Sequence, residues 1–228
     1  MALKTGTVSF LRMENNTTDD AGSYTWTAYN VGFSGAIYKN GSYSAGLFDP
    51  ADTLNYIQVT SAVTETIRTL QFWMYWPTGH GNVNKFFISN QSGATCAIQG
   101  ENGSKLRMKH PSGWSGWSSA ISDDTWTHVA MVTDGDGDEE WQLWIDNVEE
   151  VTVTSITSTC ANIAWRIGAS DAWVDPPTTS CDGYMDDVRL MTTVETSFPT
   201  VDPSGASGII GGLASYMRLG SKNMGGIL

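Results

Sequence analysis

Basic residues are scarce in this chain. Of 228 residues only 12 are Lys or Arg, against 24 Asp or Glu, for a net charge of −12. Binding to nucleic acid rests on neutralising phosphates with Lys and Arg, and no basic stripe stands out along the sequence, so a nucleic-acid partner is excluded. Charge of either sign is sparse: 16% of residues are charged, against about 25% in ordinary globular chains. Long apolar runs are missing as well. The opening, Met1 to Arg12, lacks the apolar core of a signal peptide, and nothing approaches the ~20 apolar residues of a membrane span. The expectation is a chain made in the host cytoplasm with no membrane partner.

Cysteine is limited to Cys96, Cys160 and Cys181, so any pairing within the chain leaves one over. Their spacing matches no zinc pattern. Reduced structural thiols are the expectation, with a Cys160–Cys181 bridge as the alternative. The three histidines, His80, His110 and His128, show no pairing in sequence, and serine or cysteine nucleophile motifs are absent.

What the chain does contain is a succession of short β-type runs punctuated by Gly, Asn, Asp, Ser and Pro, the pattern of an all-β protein. No long capped amphipathic helix occurs before residue 200. In Leu70 to Trp76, Leu70, Phe72, Met74 and Trp76 point one way and Trp73 and Tyr75 the other. A strand apolar on both faces is central and covered on both sides. Val129 and Met131 alternate with His128, Ala130 and Val132. Trp141, Leu143 and Ile145 form the inward row of the next strand, with Trp144 an outward exception. Between these two strands, Asp134-Gly135-Asp136-Gly137-Asp138 tolerates the positive φ of a hairpin tip. It also resembles the start of an EF-hand loop, but the required twelfth-position Glu is Ile145. In Cys181 to Leu190, Tyr184, Asp186 and Val188 alternate with Met185, Asp187 and Arg189.

Taken in order, Ile67 to Pro77, Asp124 to Val132, Trp141 to Asn147 and Cys181 to Leu190 resemble the laminin-G-like, concanavalin-A-like jelly roll. That family's strands read roughly as "FxxWxxxP", "WxHVAxxxD…lyvDG" and "GxiDdvrl". The resemblance spans most of residues 5–200 and implies a two-sheet antiparallel jelly-roll sandwich over residues 1–203, with His128 structural. Glucanases share the fold and carry carboxylates at alternating strand positions, roughly E-x-D-x-x-E, which places acid and nucleophile on one face. No such run occurs here, Asp138-Glu139-Glu140 falls in the expected turn, and Asp186 and Asp187 are adjacent and so expected to face opposite ways. The chain is expected not to be an enzyme.

Many laminin-G-like domains bind calcium, and here the resemblance nominates Asp19, in Asp19-Asp20-Ala21-Gly22, and Asp186 as ligands for Ca2+. Ten tryptophans raise the alternative of sugar stacking, with Trp114 and Trp117 in Ser112-Gly113-Trp114-Ser115-Gly116-Trp117-Ser118 and Trp173 before Pro176 as candidates. Trp114 and Trp117 stand three apart, which in a regular strand turns them to opposite faces. The N-x-[ST] sequons at Asn15, Asn16, Asn40, Asn90 and Asn102 reflect the abundance of Asn, Ser and Thr. After Pro203 the composition changes. Residues 204–228 form a glycine-rich apolar arm without acidic residues, in which Ile209, Ile210, Leu213, Tyr216 and Met217 are candidates for burial against a partner.

Jelly rolls of this kind usually act outside cells, and virion proteins reach the outside without an export signal. The first functional expectation is therefore a non-enzymatic virion structural protein of a tailed bacteriophage, a capsid decoration or tail-associated subunit. It would contact copies of itself and other virion subunits through the arm. The alternative is a carbohydrate-binding module recognising a host surface glycan, with calcium holding its loops.

Overall fold

The computed structural model describes residues 3–47, 55–79, 85–90, 96–101, 104–134, 139–156, 159–160, 164–170 and 179–198. The first strands are β1 (Thr7–Leu11), β2 (Trp26–Tyr29), β3 (Gly32–Ser34), β4 (Ser44–Gly46), β5 (Tyr56–Val59) and β6 (Thr69–Tyr75). They are followed by β7 (Lys85–Asn90), β8 (Ala97–Glu101), β9 (Lys105–His110), β10 (Gly113–Trp114), β11 (Trp126–Thr133) and β12 (Glu139–Ile145). Last come β13 (Val148–Ile156), β14 (Trp165–Ile167), β15 (Ala169–Ser170), β16 (Thr179–Ser180) and β17 (Tyr184–Met191). No helix occurs among the described residues, so none crosses a membrane.

Two antiparallel sheets face each other, as the jelly-roll expectation requires. The first runs β13-β12-β11-β6-β17-β4-β3, with β1 also on β17. The second runs β10-β9-β8-β7-β14-β5-β2, and β15 and β16 pair separately. The inward rows read from the sequence meet in one core. Leu70, Phe72, Met74, Val129, Met131, Trp141 and Leu143 from the first sheet pack with Ile57, Ile98, Leu106, Met108, Trp165 and Ile167 from the second. Each such side chain, fully buried, contributes on the order of 1.5–3 kcal/mol. The hairpin between β11 and β12 is present, closed by Glu140 N–H donating to Asp134 Oδ1 at 2.9 Å. Glu139 and Glu140 belong to β12 rather than to the turn.

One further strand reading changes. β17 carries a bulge between Asp186 and Arg189, with Asp187 at φ 49°. The extra residue resets the alternation, so Val188 joins Met185 and Leu190 in the core instead of sharing a face with Tyr184 and Asp186. The bulge also falls where the far edge of β17 passes from β4 to β1. At the strand's start Gly183 approaches β6 closely. A Cβ there would lie 2.6 Å from the Tyr75 carbonyl oxygen, so the entry tolerates only glycine.

The cysteine reading is corrected. Cys96 and Cys160 are disulfide-bonded with Cα atoms 6.3 Å apart, within the reach of an unforced bridge. Cys181 is buried and free, and burial raises its thiol pKa well above the usual value. Neither three reduced thiols nor a Cys160–Cys181 pair describes the chain. The partners are brought together by the sheet order: Cys96 leads into β8, and Cys160 bridges to Ile67 at the entry to β6.

Candidate functional site

The outer face of the first sheet is sealed by the chain itself. Trp73, Tyr75 and Trp126 are at most 7% exposed and pack with Ile37 and Tyr184. The Lys39 ammonium sits 4.3 Å from the Trp73 ring centroid. Phe198 stacks on His128 at 5.6 Å and packs against Trp144. Its N–H donates to Asn147 Oδ1 at 2.7 Å. Asp146 and Asn147, both at positive φ, form the tight β12–β13 turn that presents this anchor. His128 Nε2 meets Gln71 Oε1 at 3.1 Å. Burial, then the Lys4, Arg189 and Lys39 charges, lower the His128 pKa to about 3, so it is a neutral structural imidazole. His110 is buried at the other end of the core beside Trp141, and His80 lies outside the described residues.

The carboxylates nominated for calcium are engaged by backbone N–H groups. Asp19 Oδ1 accepts from Phe10 at 2.8 Å and Ala21 at 3.0 Å, and Oδ2 from Tyr24 at 3.0 Å. Asp186 Oδ2 accepts from Lys39 at 2.9 Å and Asn40 at 3.0 Å, and Oδ1 from Asp187 at 2.9 Å. The two sets share no residue, and each carboxylate closes a loop. The bulge turns Asp187 toward the same place as Asp186, correcting the opposite-face reading, for Asp187 Oδ2 accepts from Asn40 Nδ2 at 2.5 Å. Burial, then the Asp187 charge, push the Asp186 carboxyl up to about 8, against the pull of its three N–H donors. Among the described residues no cluster of three His, Cys, Asp or Glu is placed to hold a metal. Calcium needs six to eight oxygens.

The outer face of the second sheet is different. Sequence 113–118 consists of two copies of Gly-Trp-Ser, and it runs beside β9 with a period of three against the strand's two. Ser115 N–H donates to Met108 O at 3.0 Å and Ser118 N–H to Leu106 O at 2.8 Å. Each serine hydroxyl accepts the N–H of the same β9 residue, both at 3.0 Å. The hydroxyls thus supply acceptors that a regular partner strand would supply from its backbone, and a three-residue step is sustained. Trp114 and Trp117, one step apart, therefore fall on the same side of the sheet, not on opposite faces as strand alternation implies.

Between them lies Arg107, a residue the sequence reading did not single out. Its guanidinium carbon is 4.2 Å from the ring centroids of both Trp114 and Trp117. Its Nε donates to Gln99 Oε1 at 2.8 Å across the β8–β9 pair. Lys109 approaches the Trp114 ring at 5.0 Å and Phe86 packs beside it at 6.0 Å. For Trp117, Arg107 is the sole ring partner among the described residues. Both tryptophans and Arg107 are part-exposed, and partial desolvation lowers the Arg107 pKa from its usual value. β9 alternates Lys105, Arg107 and Lys109 outward with Leu106, Met108 and His110 inward. Three of the 12 basic residues thus share one face of one strand. That short stripe corrects the reading that the chain has no basic stripe; it and the Gly-Trp-Ser repeat beside it were the signals present in the sequence.

Toward the middle of the same face, Ser89 Oγ donates to the Ala169 carbonyl at 2.8 Å, and β15 and β16 lie against β7. Arg166 is buried there, with Nε on Gln58 Oε1 at 2.8 Å and Tyr56 beneath it at 5.3 Å. Trp173, and the arm residues Ile209, Ile210, Leu213, Tyr216 and Met217, lie outside the described residues. A cleft of about 340 Å³ lined by Ser119, Ile121, Thr125, Asp146, Val148 and Glu150 contains no aromatic side chain.

No curated protein matches this chain. Among solved structures, domain 4 of AbnA, a GH43 extracellular arabinanase from Geobacillus stearothermophilus in complex with arabinotriose, is similar at TM-score 0.57 and 17% identity. The likeness covers 87% of this chain and 95% of that one. The binding domain of Paraclostridial Mosquitocidal Protein 1 is similar at TM-score 0.61 and 12% identity, over 83% of this chain. The binding domain of Botulinum Neurotoxin DC in complex with SialylT is similar at TM-score 0.58 and 13% identity, over 84% of this chain. This chain spans about half the length of those two toxin domains, 49% in each case. A family model matches residues 51–197, and by that match and the two-sheet architecture the chain belongs to the concanavalin A-like lectin/glucanases superfamily.

Proposed function

We propose that this chain is a non-catalytic carbohydrate-binding module whose binding surface is the β9–β10 edge of the second sheet. The observation that carries the reading is the three-residue register that brings Trp114 and Trp117 to one side, flanking Arg107. Aromatic rings beside a few fixed polar groups are the ordinary composition of a small-molecule site. Trp117 is the stacking platform, because Arg107 takes only one side of its ring. Trp114, held by Arg107, Lys109 and Phe86, supports it.

The similar arabinanase domain is in complex with arabinotriose and one toxin binding domain with SialylT. These support a saccharide ligand, while the fold alone does not specify one. The acids described beside the ridge are both engaged: Glu101 faces Lys105 in register, and Glu150 accepts the Ser119 N–H at 2.9 Å. The Cys96–Cys160 bridge suits work outside a reducing cytosol. Assembly into a virion, the first expectation from the sequence, would run through residues 204–228, which lie outside the described residues, and the comparisons favour the glycan reading.

The test is retention on immobilised polysaccharides, arabinan and polygalacturonate among them. Trp117→Ala is expected to lose retention while staying folded, at a cost of about 1 kcal/mol for its part-exposed cation–π contact. Retention unchanged in Trp117→Ala and in Trp114→Ala would overturn the assignment of the site. Truncation after Ser204 is expected to leave retention intact, and loss of a defined oligomer on truncation would restore the assembly reading.

A further inference from the structure

The ridge is more selective than a stacking platform. Arg107 has its plane set by two indoles at 4.2 Å and its Nε committed to Gln99 at 2.8 Å. Its terminal Nη groups meet no partner among the described residues. A guanidinium fixed in this way presents two parallel N–H donors with little rotamer entropy left to lose, which is the geometry that grips a carboxylate bidentately. Neutral hydroxyls need no such fork. On either side, two residues along β9, Lys105 and Lys109 put ammonium-bearing side chains on the same face. This is a local concentration of positive charge on a chain of net charge −12. Glu101 opposes Lys105 in register and its charge also reaches Arg107, but one carboxylate faces the three cations Lys105, Arg107 and Lys109 on this strand.

Resting on the carbohydrate-binding reading above, we propose that the site selects a carboxylate-bearing saccharide, a uronate or another acidic sugar. The acid group pairs with the Arg107 Nη fork while an adjacent ring stacks on Trp117. Lys109 adds charge without bidentate geometry. Gln99 is a positioning residue: it touches the guanidinium, not the ligand.

The experiment is calorimetric titration of the full chain with trigalacturonic acid, its methyl ester and arabinotriose. The methyl ester keeps the rings and removes the charge, so no variant is needed for the first comparison. The acid is expected to bind at least about tenfold more tightly than the ester, the value of a charged hydrogen-bonded pair. Arg107→Lys keeps the charge and removes the fork, and is expected to lose about tenfold on the acid and little on the ester. Equal affinity for acid and ester, with both lost in Trp117→Ala, would overturn the acid selectivity and leave the carbohydrate-binding reading standing. Acid binding unchanged in both Arg107→Lys and Trp117→Ala would overturn the site. No binding of any of the three sugars, together with no retention on the polysaccharides, would overturn both readings.

Discussion

Indole–cation contacts lie on both outer faces of this sandwich, and they serve different ends. On the first sheet Lys39 sits 4.3 Å over Trp73, with the lysine 7% and the tryptophan 5% exposed. On the second, Arg107 sits 4.2 Å from Trp114 and from Trp117, all three part-exposed. The chemistry is nearly the same. On the first sheet the chain supplies its own cover, through the 35–43 segment and Phe198, and the contact becomes an interior one. On the second, the cover among the described residues ends with β15 and β16, and Trp114, Trp117 and Arg107 beyond them are part-exposed. A tryptophan beside a cation is therefore not a site in itself. What remains unsatisfied around the pair decides.

The largest effect that separates the faces is on stability. Trp73→Ala is expected to cost about 3–5 kcal/mol, the range for emptying a buried aromatic site, as measured by urea unfolding. Any binding that survives in the folded fraction should have unchanged affinity. Removing the disulfide comes next. Closing a loop with a sequence separation of 64 is worth roughly 4 kcal/mol in the chain-entropy model, so Cys96→Ser is expected to lower stability by about 2–4 kcal/mol. An unchanged urea midpoint under reducing conditions would contradict the Cys96–Cys160 pairing.

A third effect belongs to the sealed face alone. His128 and Asp186 both pair in register with Trp73, from β11 and β17. His128 has its folded pKa lowered to about 3, so it binds a proton in the unfolded state first. Its contribution is present above the ordinary histidine pKa of about 6.5 and is lost as pH falls toward 3. Asp186 is raised to about 8, so the folded state holds the proton. Its contribution is present below about 4 and is lost as pH rises through 8. Between about 4 and 6.5 the two slopes oppose each other, and above 6.5 only Asp186 remains. Stability is therefore expected to fall from pH 6.5 to 8, by at most about 1.4 kcal/mol per pH unit. Asp186→Asn should flatten that fall while lowering stability throughout, because an amide nitrogen cannot accept one of the three N–H groups. A slope unchanged by Asp186→Asn would assign the proton elsewhere. The smallest stability effect is at the ridge: Trp114→Ala should cost about 1 kcal/mol, the value of a part-exposed cation–π contact.

Much of the fold was legible wherever a period of two holds. The two-sided apolar strand at Leu70–Trp76, the inward row of Trp141, Leu143 and Ile145, and the exception at Trp144 all stand as read. The failures occur where the period changes. At Asp187 a positive φ inserts a residue and moves Val188 into the core, and an aspartate in a strand carries no mark of that. At Gly113–Ser118 the step is three, so alternation placed Trp114 and Trp117 wrongly. Here the sequence did carry the signal, in the repeat of Gly-Trp-Ser, because a serine at every third position is what lets the backbone bond to β9. The Cys96–Cys160 pair was not legible, since only the order of strands brings those two loops together.

The most direct measurement is a 1H–15N spectrum of the ten indole N–H groups during titration with trigalacturonic acid. The account predicts that the Trp114 and Trp117 signals shift with a common midpoint while those of Trp73 and Trp126 stay in place. Shifts at Trp73 and Trp126 with Trp114 and Trp117 unmoved would contradict it.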